Sequence, residues 1–259
     1  MLGATAAAAA GFGVRPQPFP EFPGPSSTAM QVPLREGLPS PVDRWLRSVY
    51  GDRVPVISSV VVSGRARLRP FGYWLPGRFR FIHDAGRSYR HYIEATWYGR
   101  PFLRVNESYL DGRSEIDIPL LGRDGGPQLA QAANLGMWAE LAAAAPAVLV
   151  THPGVRWREA DRHSAVLQVP FGPARRDEFE VSFDPASGEL RELRAWRYRD
   201  SSASPKVLWR ARCEPGPRVP GTRLPAVGTA TWADQGRPWA WFITETIRTN
   251  VPVADALQR

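Results

Sequence analysis

The densest group of side chains able to do chemistry is acidic. Glu107, Asp111, Glu115 and Asp117 surround the turn Asp111-Gly112 in a stretch that alternates like a β-hairpin. Glu107 and Asp117 could face each other across it, and two facing carboxylates can act as general acid and base. The same acids could equally pair with the many arginines across strands, so no catalytic residue is assigned. The histidines, His83, His91, His152 and His163, are scattered, and none has a partner at the spacing of a metal-ligand motif. His91 and Glu94 fall on opposite faces of their strand and cannot form a local pair. Cys213 is the only cysteine, which excludes an intrachain disulfide and a thiolate metal cluster. The chain has no G-x-S-x-G elbow, no phosphate-cradling glycine loop and no H-E-x-x-H. No metal and no cofactor is expected, and the pattern specifies no enzyme.

The elements that carry these residues read as strands around one helix. Gly125-Gly126 breaks a strand and Pro127 suits a first helical turn. Ala and Leu dominate to Ala145, and Pro146 ends the helix. Leu135, Trp138 and Leu141 share a stripe at helical spacing, with Asn134 and Glu140 as the helix's polar groups. The helix packs as core, or it lies as a lid over a concave sheet. A shorter amphipathic helix, Pro41 to Tyr50, precedes the strands and buries Val42, Trp45, Leu46 and Val49. Period-2 alternation predicts about five strands between Val54 and Leu120 and the remainder after Val155, with turns at Gly86, Gly99-Arg100-Pro101, Asp111-Gly112 and Asp184 to Gly188. The predicted fold is mainly β. It is a large curved antiparallel sheet, half-barrel-like, of about 11–12 strands, with one central helix between two meanders.

One face of that sheet is bulky and apolar: Phe79, Phe81, Trp97, Trp157, Phe179, Phe183, Trp239 and Trp241. A curved sheet covered by one helix can enclose space that side chains leave unfilled, and apolar pockets with few polar groups suit lipid-like ligands. A fully packed core is the competing expectation. A pocket under the helix would be lined by Trp97, Trp138 and Trp157, with Glu107, Tyr109 and Asn134 as polar contacts.

The formal charge is +8, almost all of it arginine, since Lys206 is the only lysine. Most arginines are interleaved with acids, as on a solvated face. Arg65, Arg67, Arg69, Arg78 and Arg80 are the exception, and they could meet an anionic membrane surface. The aromatics follow strand periodicity and do not interleave with a basic stripe, which argues against nucleic acid.

Four segments are expected. Residues 1–14, MLGATAAAAAGFGV, are either an unstructured start or the remnant of a membrane or signal segment. They are shorter than the ~20 apolar residues that span a bilayer. Residues 15–37 read as a Pro-rich extended tether, residues 38–253 as a single β-rich domain, and residues 254–259 as a tail. This order suits a protein tethered at or exported to the cell envelope, with a cytoplasmic location as the alternative.

From Leu38 to about Val253 the chain resembles the bacterial DUF6544 proteins, through LPSPVDRWLR, YIEATWYGRPFLRVNESYLDGR, ANLGMWAE and the VRW that follows. That family is uncharacterised and implies no activity. At the level of architecture the order of strands, helical insert and strands is similar to LolA/LppX-like lipoprotein carriers, unclosed β-barrels whose helices cover an apolar cavity. The reading is therefore non-enzymatic binding of a lipid or other apolar small molecule. The alternatives are an interaction or scaffold domain with a solid core, and a hydrolase using the 102–118 hairpin.

Overall fold

The computed structural model describes residues 10–119, 122–202 and 205–258. Residues 1–9 of the Ala-rich start, Leu120 at the end of one predicted strand, and Arg259 of the tail lie outside them.

The first meander runs through β3 (Ser59–Leu68), β4 (Leu75–Asp84), β5 (Ser88–Trp97), β6 (Arg100–Leu110), β7 (Arg113–Ile118) and β8 (Gly122–Gly125). The second runs through β9 (Arg156–Asp161), β10 (Ser164–Phe171), β11 (Arg175–Phe183), β12 (Leu190–Arg197), β13 (Val207–Arg218), β14 (Pro225–Trp232) and β15 (Pro238–Thr249). The two fuse where β15 pairs antiparallel with β3, giving one 13-stranded sheet in the order β8-β7-β6-β5-β4-β3-β15-β14-β13-β12-β11-β10-β9. A two-stranded ribbon, β1 (Gln31–Pro33) with β2 (Arg53–Pro55), stands apart.

This order explains the helix. β8 and β9, neighbours in sequence across the insert, are the opposite edges of the sheet. The chain between them must cross the whole inner face, and it does so as α2 (Pro127–Ala144) and the short α3 (Val148–Thr151). Fourteen of the eighteen residues of α2 are buried, as a helix apolar on all sides must be. Alanines at 130, 132, 133 and 139 let it lie close to the strands. α1 (Ser40–Tyr50) buries Val42, Trp45 and Leu46, with Trp45 against Phe183 of β11. A last helix, α4 (Ala254–Gln258), packs Leu257 on the outer face.

The sheet has more strands than the 11–12 read from the sequence. β8 is Gly-Arg-Asp-Gly, a short polar edge strand with no alternation to betray it. Two faces also differ from expectation. A β-bulge between Ala95 and Thr96 breaks the alternation of β5. Ala95 and Thr96 are both buried, and Trp97 is turned out, 43% exposed. In β15 the register pairs Trp241 with Arg67 and Ile243 with Arg65, so both face outward and the inner residues are Ala240 and Phe242. Both parities of β15 are apolar, so alternation alone could not choose between them.

The outer face has its own small core. Phe22, Val61, Ile82, Val251, Val253 and Leu257 cluster there. Residues 17–24, within the proline-rich stretch, run along this face. Arg78 Nη1 donates to the carbonyls of Gln17 and Pro18, Arg80 to Pro20, and Arg248 to Phe22 and Gly24.

Candidate functional site

The inner face of β4 and β5 brings together residues that the sequence left scattered. His83 on β4 pairs with Tyr89 on β5, and Phe81 pairs with His91, so the two imidazoles sit diagonally on one face. Their rings are 5.6 Å apart in an edge-to-face arrangement. Tyr89 stacks on His91 at 3.9 Å. β6 adds Glu107, opposite Ile116 and next to Tyr89 and His91. α2 contributes Glu140 from above. Its Oε2 lies 2.9 Å from His91 Nε2 and 3.2 Å from His83 Nε2. On the other side of His91, Nδ1 is 3.7 Å from Glu107 Oε2, and the Tyr89 hydroxyl donates to Glu107 Oε1. Arg197 on β12 completes the set from the second meander. Its guanidinium lies over the rings of Trp209 and Trp232. It reaches α2 at Gly136, where an added Cβ would stand 3.7 Å from Arg197 Nη2.

The electrostatics follow from opposed charges held out of water. Burial pushes His91 down, but Glu140 and Glu107 overcome it and raise the imidazole to about 9. Burial pushes Glu140 up, and His91 and His83 more than reverse this, bringing it to about 2. Glu107 behaves likewise, lowered against its own burial by His91 and Tyr89. His83 is lowered, because burial outweighs Glu140 there. Burial lowers Arg197 against the pull of Glu107 and Glu140, and it raises the Tyr89 phenol well above its ordinary range. Two carboxylates thus face a protonated His91 and Arg197 beside a neutral His83. A balanced charge set of this kind is what a buried site tolerates.

Glu140 also opens onto a cavity of about 110 Å³ between the C-terminal half of α2 and the sheet. Ala139, Ala143 and Ala144 form its helix wall, and Val62, Phe79, Phe81, Leu193, Trp209 and Phe242 are among its sheet wall. The Glu140 side chain is 26% exposed, while His83 and His91 beside it are buried.

The residues expected to line a pocket are distributed differently. Trp138 is fully buried, packed edge-to-face on His152 5.2 Å away, and plugs the sheet rather than roofing it. Asn134 Nδ2 donates to Asp177 Oδ2 at 2.8 Å and to the Pro170 carbonyl, so it is part of a structural network. Trp157 Nε1 donates to the Leu149 carbonyl at 3.0 Å. Tyr109 faces inward 5.9 Å from Tyr89, its phenol raised to about 12 by burial and by Asp177. Trp97 lies beyond the bulge against Gly11. Of the six, Glu107 alone belongs to the polar cluster, and none is among the residues lining the cavity.

The hairpin carboxylates do not converge. Asp117 pairs with Asn106 while Glu107 pairs with Ile116, so they face opposite sides of the sheet. Asp117 lies 3.7 Å from Arg123. The hydrolase arrangement therefore has no geometry. Nor are the grouped arginines a bare positive patch: Arg65 binds Glu245 at 2.6 Å, Arg78 binds Glu94 at 2.6 Å, and Arg67 and Arg69 lie over Trp74.

Sequence reading missed His83, His91, Tyr89 and Arg197 as site residues, and named Glu140 only as a polar group of the helix. One signal was available: His83 and His91 share parity about the Gly86 turn, so a tight hairpin had to put both on one face. Nothing local linked them to Glu140 or Arg197, which lie 49 or more residues from His91.

An open antiparallel sheet folded around the buried helix α2, with a polar cluster and a small apolar cavity between them, defines a mainly β protein. The chain belongs to DUF6544, a family of unknown function, whose sequence profile matches residues 28–244. No curated protein sequence matches it. It is similar to a solved LolA superfamily protein from Nitrosomonas europaea, at 10% identity and a TM-score of 0.47, covering 88% of this chain and 98% of that one. It is also similar to a DUF1329 family protein from Desulfovibrio piger, at 10% identity and a TM-score of 0.45, over 85% and 95%. A third similar structure is a putative outer membrane lipoprotein-sorting protein domain from Vibrio parahaemolyticus, at 10% identity and a TM-score of 0.40, over 78% and 92%.

Proposed function

We propose that the protein binds an apolar small molecule or a lipid chain in the cavity beside Glu140. One observation carries this reading: an apolar hollow lies between α2 and the sheet, with Glu140 as the one carboxylate among its lining residues. Packed interiors leave few voids larger than a water molecule. The magnitude narrows the ligand. An engineered apolar cavity of about 150 Å³ accepts benzene, and this one is about 110 Å³. It suits the end of one acyl chain or a small ring, not a whole lipid, unless α2 shifts outward. Glu107, next to His91 and Tyr89, supports the polar side of such a site, whereas Trp97, Tyr109, Asn134, Trp138 and Trp157 do not line it. Among the described residues no helix is long and apolar enough to cross a membrane. The reading includes an envelope setting, for which the apolar sequence of residues 1–14 is the support.

Calorimetric titration with benzene as an apolar probe, and with fatty acids of graded chain length, tests this. Saturable binding is expected, with loss of at least about tenfold in Ala143→Phe, whose ring fills the cavity. A wild-type chain that takes up no probe, or a filled variant that binds equally well, would sink the proposal.

A further inference from the structure

Ordinary hydrogen bonding leaves the polar cluster incomplete. His83 Nε2, His91 Nε2 and Glu140 Oε2 are all buried without a hydrogen bond of acceptable geometry, although both nitrogens lie within 3.2 Å of that oxygen. Buried polar atoms in this condition are rare, and here three converge on one point. One donor atom from each residue lies within 4.8 Å of the other two. A tetrahedral ion with bonds of ~2.0–2.1 Å holds its ligand atoms roughly 3.3 Å apart.

We propose that His83, His91 and Glu140 form a binding site for one divalent transition-metal ion of the zinc class, with its remaining coordination position facing the apolar cavity. Two imidazoles and one carboxylate are a donor set that zinc and similar ions favour. The scaffold is suitably rigid: the histidines are fixed on adjacent paired strands, and Glu140 sits on the buried helix. The outer layer is also of the right kind. Glu107, which accepts the Tyr89 hydroxyl, lies 3.7 Å from His91 Nδ1, longer than a hydrogen bond but on the side of the ring from which a carboxylate orients a ligating histidine. A doubly charged ion is matched by Glu140 and Glu107, which leaves Arg197 to favour an anionic group in the open position. Helix face and strand face each supply part of the site, so it exists only in the folded chain. The inference does not depend on what fills the cavity.

The full chain, stripped with a chelator, is titrated with Zn²⁺ alone, and with Co²⁺ as a spectroscopic reporter. One ion per chain is expected, with a visible Co²⁺ spectrum of low coordination number. His83→Asn, His91→Asn and Glu140→Gln should each weaken binding by more than about tenfold, whereas His152→Asn and His163→Asn leave it unchanged. Wild-type protein that binds no stoichiometric ion, or binding that survives all three ligand substitutions, overturns the site. Should the buried histidine variants fail to fold, the wild-type imidazole resonances decide. Those of His83 and His91 must move on Zn²⁺ addition, and movement confined to His152 or His163 refutes the assignment. Ala143→Phe separates this inference from the ligand proposal, since it should abolish probe binding and retain the ion.

Discussion

At the scale of single residues, the inner face carries two polar groups of different character. The cluster of His83, His91, Glu107 and Glu140 balances charge against charge and opens onto a cavity. The group around Asp177 is structural. Asp177 accepts Gln131 Nε2 at 3.1 Å and Asn134 Nδ2 at 2.8 Å, tying α2 to β11. Burial raises its carboxyl above the ordinary value, and the two amide donors only partly offset this. The sign follows from linkage. A carboxyl raised on folding contributes most below its unfolded value, near about 4, and this contribution fades as pH rises through the folded value. Wild type should therefore exceed Asp177→Asn in Tm by more near about pH 4 than near about pH 7. Thermal melts across that range check it, and a gap that widens with rising pH would contradict the burial argument.

At the scale of elements, the join between the meanders is the point of least tolerance. Gly64 lies where β3 meets β15, beside the bulge between Thr244 and Thr246. A Cβ there would stand 2.1 Å from the Ile243 carbonyl oxygen, which is backbone and has little room to retreat. Gly64→Ala is expected to cost about 1–3 kcal/mol, the range for overpacking, read as a lowered urea midpoint. Unchanged stability would mean that the two strands do not approach as described. The glycine was visible in the sequence, but its role was not, because the strand it touches lies about 180 residues away. The ends of α2 were legible for the opposite reason: Gly126 and Pro146 act on their own backbone. The facing of Trp97 and Trp241 was illegible, since a bulge and an apolar strand on both parities each defeat period-2 counting.

At the scale of the whole molecule, the sheet is used on both sides. Its inner face wraps α2, and its outer face is covered in part by the proline-rich segment, with Phe22 set among Val61, Ile82 and Val251. Phe22→Ala should destabilise the protein by up to about 3–5 kcal/mol, as for a large ring removed from a packed site. Chemical unfolding measures this, and an effect below about 0.5 kcal/mol would show that the segment is dispensable. The open edges at β8 and β9 are bridged by the helical insert, so the element joining the two halves in sequence also fills the space between them.

Properties that depend on neighbours in the chain were settled by sequence alone: a mainly β protein, its central helix with both termini, most hairpin turns, and the family. Properties that depend on register between distant strands were settled only by the tertiary structure. They include the fusion of β3 with β15, the side of the sheet on which each aromatic lies, and the separation of Glu107 from Asp117. The meeting of His83, His91 and Glu140 belongs with them, because its members become neighbours only when a hairpin pairs and a helix crosses the sheet. A one-residue shift in register sends a side chain to the other face, and no local pattern carries that information.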